Sequence, residues 1–141
     1  MELKIRKTHL HAKTPTYATI GAACFDLMSC EWVNIRPGEW AIINTGLSFE
    51  VPEDHAMMVY GRSGLAAKGR ISLGNCVGVI DSDYRGDVKV ILRNDGLTMI
   101  EIRPFDRIAQ AMIVPVPKVQ FVEADLSETD RGAGGFGSTG A

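Results

Sequence analysis

The chain has no apolar run near the roughly 18 residues that a membrane-spanning helix needs. Its opening stretch, MELKIRKTHL, is too polar for a secretory signal peptide. Both absences lead us to expect a cytoplasmic protein with no membrane partner. Positive charge is not in excess either: 15 Lys and Arg stand against 17 Asp and Glu, for a formal net charge of −2. No global field therefore draws the chain to nucleic acid, and any anion must be gripped locally by arginine and backbone N–H groups. Cysteine is sparse. Cys24, Cys30 and Cys76 are odd in number and show no CxxC spacing, which argues against a zinc site or a redox pair. On one extended strand Cys24 and Cys30 would lie ~20 Å apart, beyond disulfide reach, so the cysteines are expected as reduced, small core residues. His9 and His11 are expected on one strand face, but no third ligand is near, and a surface role is expected for both.

What is present reads as many short strands in one domain. Hydrophobic residues make up 45% and charged residues 23% of the 141, an ordinary globular composition. The segments LKIRK, EWVNIRPGEWAIINT, LSFEVPEDHAMMVY, DVKVILRN, LTMIEIRP and RIAQAMIVPV are rich in β-branched and aromatic residues. Pro37-Gly38, Pro52, Asp95-Gly96 and Pro104 punctuate them. Val88, Val90 and Leu92 alternate with Lys89 and Arg93, and Ile100 and Ile102 with Glu101 and Arg103. Asn94-Asp95-Gly96 between those two runs predicts a hairpin. One short helix is expected, SGLAAKG at residues 63–69, with Ser63 as N-cap and Gly69 ending it. The fold class is all-β, a jelly-roll-like barrel or sandwich. No internal repeat or second domain is visible. From Glu123 the character changes, and DRGAGGFGSTGA forms a glycine-rich tail with no core of its own.

Several segments bear on chemistry. The tail satisfies the dinucleotide fingerprint at Gly132, Gly134 and Gly137, and nearly spells a P-loop with Ser138 in place of lysine. Both motifs need a following helix, and neither is expected here. Arg131 and Phe136 are unusual in a purely solvating tail. Glycines around Phe136 would let N–H groups converge on an anion, with Arg131 adding a bidentate contact and Phe136 a flat surface for a base. YGRSGLAAKG sets Arg62, Ser63 and Gly64 where a helix begins, a phosphate-binding arrangement or an ordinary helix start. FDRIAQAM places Gln110 in a strand otherwise built for burial, where it needs a partner. GVIDSDYRGDV sets Asp81, Asp83 and Tyr84 between apolar runs.

Taken together, five segments resemble the five motifs of the trimeric dUTP pyrophosphatase (dUTPase) family. They are ACFDLMS (23–29), GRSGLAAKGRI (61–71), GNCVGVIDSDYRGDV (74–88), RIAQ (107–110) and RGAGGFGSTG (131–140). They occur in family order and at family spacing. Cys24 stands where the family usually has glycine, and KGRI where a glycine commonly precedes the isoleucine directly. The resemblance implies the dUTPase-like β-clip, with a domain over residues 1–122 and a flexible glycine-rich arm over 123–141 that closes over an active site. It also implies a homotrimer with active sites at subunit interfaces. The implied reaction is hydrolysis of dUTP to dUMP and pyrophosphate, assisted by Mg²⁺, by in-line attack of water on the α-phosphate. Such an activity limits uracil incorporation into DNA and supplies dUMP for thymidylate synthesis.

Residue by residue, the resemblance implies that Cys76 to Tyr84 forms a β-hairpin whose backbone, at Gly78 and Val79, receives uracil, with Asn75 touching the pyrimidine. Tyr84 packs beneath the deoxyribose, Asp81 is the catalytic carboxylate, and Asp83 fixes the turn. Arg62, Ser63, Gly64 and Gln110 contact the α and β phosphates. Arg131, Gly137 and Ser138 hold the γ end, and Phe136 stacks on the base. Mg²⁺ bridges the phosphates with no direct protein ligand, Asp26 supporting the site or a metal-bound water, and Arg107 buttresses it. Two rival readings are a dCTP deaminase, alone or bifunctional with dUTPase activity, and a regulatory protein using a nucleotide-dependent surface. The GGFGS ending and the IDSDYRG segment favour a plain dUTPase.

Overall fold

A computed structural model describes residues 1–136 and 138. The fold is all-β with one short helix, as the sequence predicts. Alternating patterns become alternating burial. In β9 (Lys89–Asn94) Val90, Leu92 and Asn94 are buried while Lys89 and Arg93 are exposed. In β2 (Phe25–Met28) Phe25 and Leu27 point inward, which leaves Asp26 on the other face.

The strands divide among antiparallel sheets. A four-stranded sheet runs β2, β11 (Arg107–Pro115), β6 (His55–Tyr60) and β8 (Gly78–Ile80). A three-stranded sheet runs β4 (Trp40–Asn44), β9 and β7 (Ile71–Leu73). Two smaller pairs join β1 (Lys4–Lys7) to β5 (Leu47–Glu50), and β3 (Val33–Ile35) to β10 (Ile100–Ile102). The inward faces share one cluster that includes Leu27, Met57 and Ile108 from the first sheet and Ile43, Val90 and Leu92 from the second. Burying such side chains contributes roughly 1.5–3 kcal/mol each, and this is what holds the sheets face to face.

Three strand-level expectations need correction. Asn94-Asp95-Gly96 does not close a hairpin, because β9 pairs with β4 and β7 while β10 pairs with β3. A two-residue hairpin of the expected kind needs positive φ at its centre, and neither Asp95 nor Gly96 has it. Instead Asn94 is fully buried. Its side-chain amide donates to the Ile35 and Thr98 carbonyls at 2.9 and 2.8 Å, and its carbonyl accepts from Gly96 N–H at 2.9 Å. Those bonds send the chain across to β3 rather than back along β9. Secondly, His9 and His11 lie in a turn after β1, with ring centroids 5.3 Å apart and in edge contact, not on a strand. Thirdly, only Cys30 is a buried core cysteine, whereas Cys24 is half-buried and Cys76 exposed.

The helix α1 (Ser63–Gly69) also starts differently from expectation. Arg62 is its N-cap, Ser63 is its first helical residue, and no side chain caps it. The left-handed residue at its end is Arg70, φ 50°, rather than Gly69. A lysine and an arginine flank Gly69, and the chain turns at the second of them.

After Pro115 the Val116 N–H still bonds to Asp54 C=O at 2.7 Å. Beyond it the described residues run without strand or helix to the terminal turns.

Asn94→Asp preserves size but replaces two buried donors with a carboxylate. It should lower unfolding free energy by about 3 kcal/mol, read as a lower urea midpoint. An unchanged midpoint would show that the buried amide does not hold the crossover.

Candidate active site

The register of the four-stranded sheet builds one end of the site. Asp26 in β2 lies opposite Gln110 in β11, and Gln110 lies opposite Tyr60 at the end of β6. Side chains of paired residues share a sheet face, so three strands present Asp26, Gln110 and Tyr60 in a row. Gln110 finds the partner that the sequence demanded: its Nε2 donates to Gly61 C=O at 2.9 Å. This ties the residue before Arg62 to the central strand.

Arg107 reaches the same side by an irregularity. Three positions separate it from Gln110, which in a regular strand would put the two on opposite faces. The register shifts between Arg107 and Ala109, and a bulge of this kind re-aims a side chain. Arg107 Nη1 thereby lies 3.3 Å from Asp26 Oδ2, while Arg62 Nε lies 3.0 Å from Asp26 Oδ1. Arg62 Nη1 also donates to Arg107 C=O at 3.1 Å.

These residues line a cavity of about 460 Å³ with Cys24, Ser63 and Gly64. Two guanidiniums face one carboxylate there, leaving a net positive site at the mouth of α1. Cys24 is the residue that departs from the family pattern, and it sits on this cavity wall. Burial, and then the Asp26 carboxylate, push its thiol above the ordinary range. Cys30 is raised likewise, first by burial and then by Glu31.

The segment from Gly74 to Asp87 forms the second end, and it is not a self-contained hairpin. Its strand β8 pairs with β6, with Gly78 opposite Val59, Val79 opposite Met58 and Ile80 opposite Met57. The loop before β8 turns at Cys76, φ 61°, with Val77 N–H bonded to Asn75 C=O at 2.6 Å. The turn after β8 closes through Tyr84 N–H to Asp81 C=O at 3.2 Å. Because β8 is the last strand of its sheet, its outer edge presents main-chain N–H and C=O groups to solvent. A second cavity of about 100 Å³ is lined here by Asn75, Gly78 and Val79, with Leu73, Lys89 and Ile91. Val79 is 57% exposed, an apolar side chain left uncovered beside that edge.

Asp81 is exposed at the end of β8. Tyr84 lies along the turn, where a Cβ on Gly86 would overlap its hydroxyl, and that hydroxyl donates to Asp87 C=O at 3.1 Å. The carboxylate that braces this region is Asp87, accepting from Ser48 Oγ at 2.9 Å. Asp83 was expected in that role. Arg85 pins the turn by donating to the Ser82 and Tyr84 carbonyls.

The structure thus brings Asp26, Arg62, Ser63, Gly64, Arg107 and Gln110 to one cavity, and Asn75, Gly78 and Val79 to another with no lining residue in common. Arg131, Phe136 and Ser138 line neither. Arg131 Nε donates to Gly134 C=O at 2.8 Å, Ser138 N–H bonds to Gly135 C=O at 3.1 Å, and the Phe136 ring is fully exposed. Gly137 lies outside the described residues. Sequence reasoning missed the edge position of β8 and the walls given by Lys89 and Ile91. Both follow from strand pairing between distant segments, for which the sequence carries no local signal.

The sequence matches the dUTPase family over residues 11–140. A deoxyuridine 5'-triphosphate nucleotidohydrolase of Nautilia profundicola is 50% identical over 141 residues, covering 99% of each chain. The corresponding protein of Paraburkholderia phytofirmans is 44% identical over 144 residues, covering 99% of this chain and 97% of that one. A variant of the Staphylococcus bacteriophage 80alpha dUTPase, solved with dUpNHpp, superposes with a TM-score of 0.90 at 27% identity and 99% coverage of both chains.

Exposed Cys76 should react first with iodoacetamide at neutral pH. Cys24 and Cys30 should react more slowly, since a raised thiol pKa leaves less thiolate below it. Peptide mass mapping over time reads the order, and early labelling of Cys24 would contradict the site geometry.

Proposed function

The chain belongs to the dUTPase family, and on that premise we propose that it hydrolyses dUTP to dUMP and pyrophosphate by in-line attack of water on the α-phosphorus. The observation that carries the reading is the convergence of Arg62, Ser63, Gly64 and Gln110 on one cavity, while a free strand edge lies beside Asn75, Gly78 and Val79. The first suits a phosphate chain and the second suits a base.

Uracil offers an acceptor, a donor and an acceptor along its edge (O2, N3–H, O4). The exposed edge of a β-strand offers N–H, C=O and N–H in complement, so β8 reads the base edge with its main chain, and Asn75 touches the pyrimidine beside it. Cytosine would mispair at two of those positions at ~1–3 kcal/mol each. Thymine is refused by shape, its methyl striking the backbone. Tyr84, held along its turn by the bond to Asp87 C=O, lies beneath the deoxyribose and leaves no room for a 2'-hydroxyl. Asp81 holds the 3'-hydroxyl and takes a proton from the attacking water, a task within reach of a positioned carboxylate.

Arg62, Ser63, Gly64 and Gln110 orient the α and β groups, and Arg107 buttresses them. The donor set fits Mg²⁺ only as an outer-sphere contact. Asp26 is the one carboxylate among the described residues lining the phosphate cavity, and both its oxygens are already paired with arginine. A bound Mg²⁺ would supply charge neutralisation for the phosphate groups, with Asp26 supporting it through water.

The arm, residues 123–141, then closes over the nucleotide. Arg131, Gly137 and Ser138 grip the γ end, and Phe136 stacks on the base. We place the complete site between copies of a homotrimer. That the two cavities share no lining residue supports this, as do the uncovered Val119, Phe121, Val122 and Leu126 ahead of the terminal turns. No helix among the described residues is long and apolar enough to cross a membrane, and the proposed setting is the cytoplasm. There the reaction keeps uracil out of DNA and supplies dUMP for thymidylate synthesis.

Pyrophosphate release should be fast with dUTP and weak with UTP, dTTP and dCTP, and should fall when Mg²⁺ is removed. Ammonia release from dCTP would overturn the assignment. Asp81→Asn should bind a non-hydrolysable dUTP analogue nearly as the parent does, while kcat falls by roughly 10²–10⁴. Turnover at the parent rate would remove Asp81 from the chemistry. Truncation before Arg131 should leave a folded trimer with little activity, and a fully active truncate would show that the arm takes no part.

A further inference from the structure

An anion-binding cavity that contains a carboxylate poses a contradiction. Asp26 is the charge a triphosphate should avoid, yet its side chain is only 14% exposed and sits between two guanidiniums. By Coulomb's law alone, removing it would tighten the grip on phosphate. The geometry assigns it the opposite effect.

Each oxygen of Asp26 lies against one arginine: Oδ2 accepts from Arg107 Nη1, and Oδ1 is ion-paired with Arg62 Nε at 3.0 Å. A guanidinium carries five N–H donors in a rigid fork. Arg62 uses one on Arg107 C=O, and its Nε lies against Asp26 as an ion pair, which leaves the other three Nη N–H groups for a ligand. Arg107 uses one on Asp26, leaving four. Both arginines are thus held by one edge, with the remaining donors free.

Without Asp26, two like charges would face each other across the cavity, Arg62 keeping only its bond to Arg107 C=O and Arg107 losing its one side-chain partner. Arg107, whose side chain is 50% exposed, would swing into solvent. Ordering a long side chain at the moment of binding costs about 0.5–1.5 kcal/mol, and two would have to be ordered together. Asp26 meets that cost during folding, when the register opposite Gln110 sets its place.

We propose that Asp26 is a positioning residue that holds the Arg62 and Arg107 guanidiniums as a preformed double fork for the phosphate chain of the nucleotide, Arg107 thereby contacting phosphate as well as buttressing the site, by a route that needs no metal. This rests on the reading of the cavity as the phosphate end of a dUTP site. It differs from a role through metal-bound water in one measurable respect, since the fork works equally in the absence of Mg²⁺.

The test is calorimetric binding of a non-hydrolysable dUTP analogue to the full-length parent, Asp26→Ala and Asp26→Asn, each in EDTA and again with saturating Mg²⁺. The Asn variant matches Asp in size and covers the case in which the Ala variant fails to fold. Its amide accepts from one arginine but presents a donor to the other. Both variants should bind roughly ten-fold or more weakly in EDTA, with a similar loss in Mg²⁺. Asp26→Glu, which keeps the charge, should recover part of the affinity. In turnover the loss should fall mainly on KM rather than kcat.

Unchanged or tighter binding in EDTA, with a loss only in Mg²⁺, would overturn the proposal in favour of contact through metal-bound water. Unchanged or tighter binding in both conditions would mean that Asp26 is only a repelling charge. A parent that binds no analogue under either condition would defeat the functional reading itself, and this inference with it.

Discussion

The register of one strand sets which polar side chains line the candidate site. β11 lies between β2 and β6, and Gln110 faces Asp26 on one side and Tyr60 on the other. A slip of one residue would turn Gln110 into the core and Ala109 or Ala111 out of it. Ile108, Ala109 and Ala111 are completely buried, so burial of apolar side chains locks a polar row on the opposite face. The bulge next to Arg107 then adds the one side chain that regular alternation would have sent elsewhere. Packing energy thus becomes positional accuracy for a few charged groups.

The second cavity follows from a different property of the same sheet. An edge strand is ordinarily a hazard, open to pairing with another chain. β8 is short, and turns flank it on both sides, so little of its edge is available. What remains is a few main-chain donors and acceptors in fixed alternation, which on the proposed reading match one pyrimidine edge and mispair with another. Selectivity then depends on backbone geometry, which side-chain substitution changes least. Gly78, where an added Cβ would come within 3.1 Å of Val59 Cβ, keeps β8 close against β6.

Much of this was legible in the sequence, for identifiable reasons. Strands with clear alternation, such as the one holding Val90 and Leu92, could be read from burial period alone. The need of Gln110 for a partner was also legible, because an amide among apolar neighbours must be satisfied. The short strands β2, β7 and β8 were harder, being too brief for periodicity to mark. Asn94-Asp95-Gly96 misled because turn chemistry is local, while the buried Asn94 amide answers to carbonyls on other strands. Ser63 misled in the same way: a hydroxyl before a helix resembles a cap, but the backbone starts the helix one residue earlier. The pairing of Asp26 with two arginines had no local sign at all. It depends on a bulge and on residues from three separate segments.

Within one copy the two cavities share no lining residue, and the described residues of the terminal arm bond to one another. On the proposed trimer reading, one nucleotide uses Asp81 of one copy together with Arg62 of another. Mixing answers this directly. Asp81→Asn and Arg62→Ala should each be nearly inactive alone, and should be unfolded and refolded together in equal amounts. Random assembly of a symmetric trimer would give roughly a quarter of the sites both native residues, so about a quarter of the parent's dUTP turnover should return. No recovery in a mixture that has formed mixed trimers would place both residues on one chain and contradict a site shared between copies.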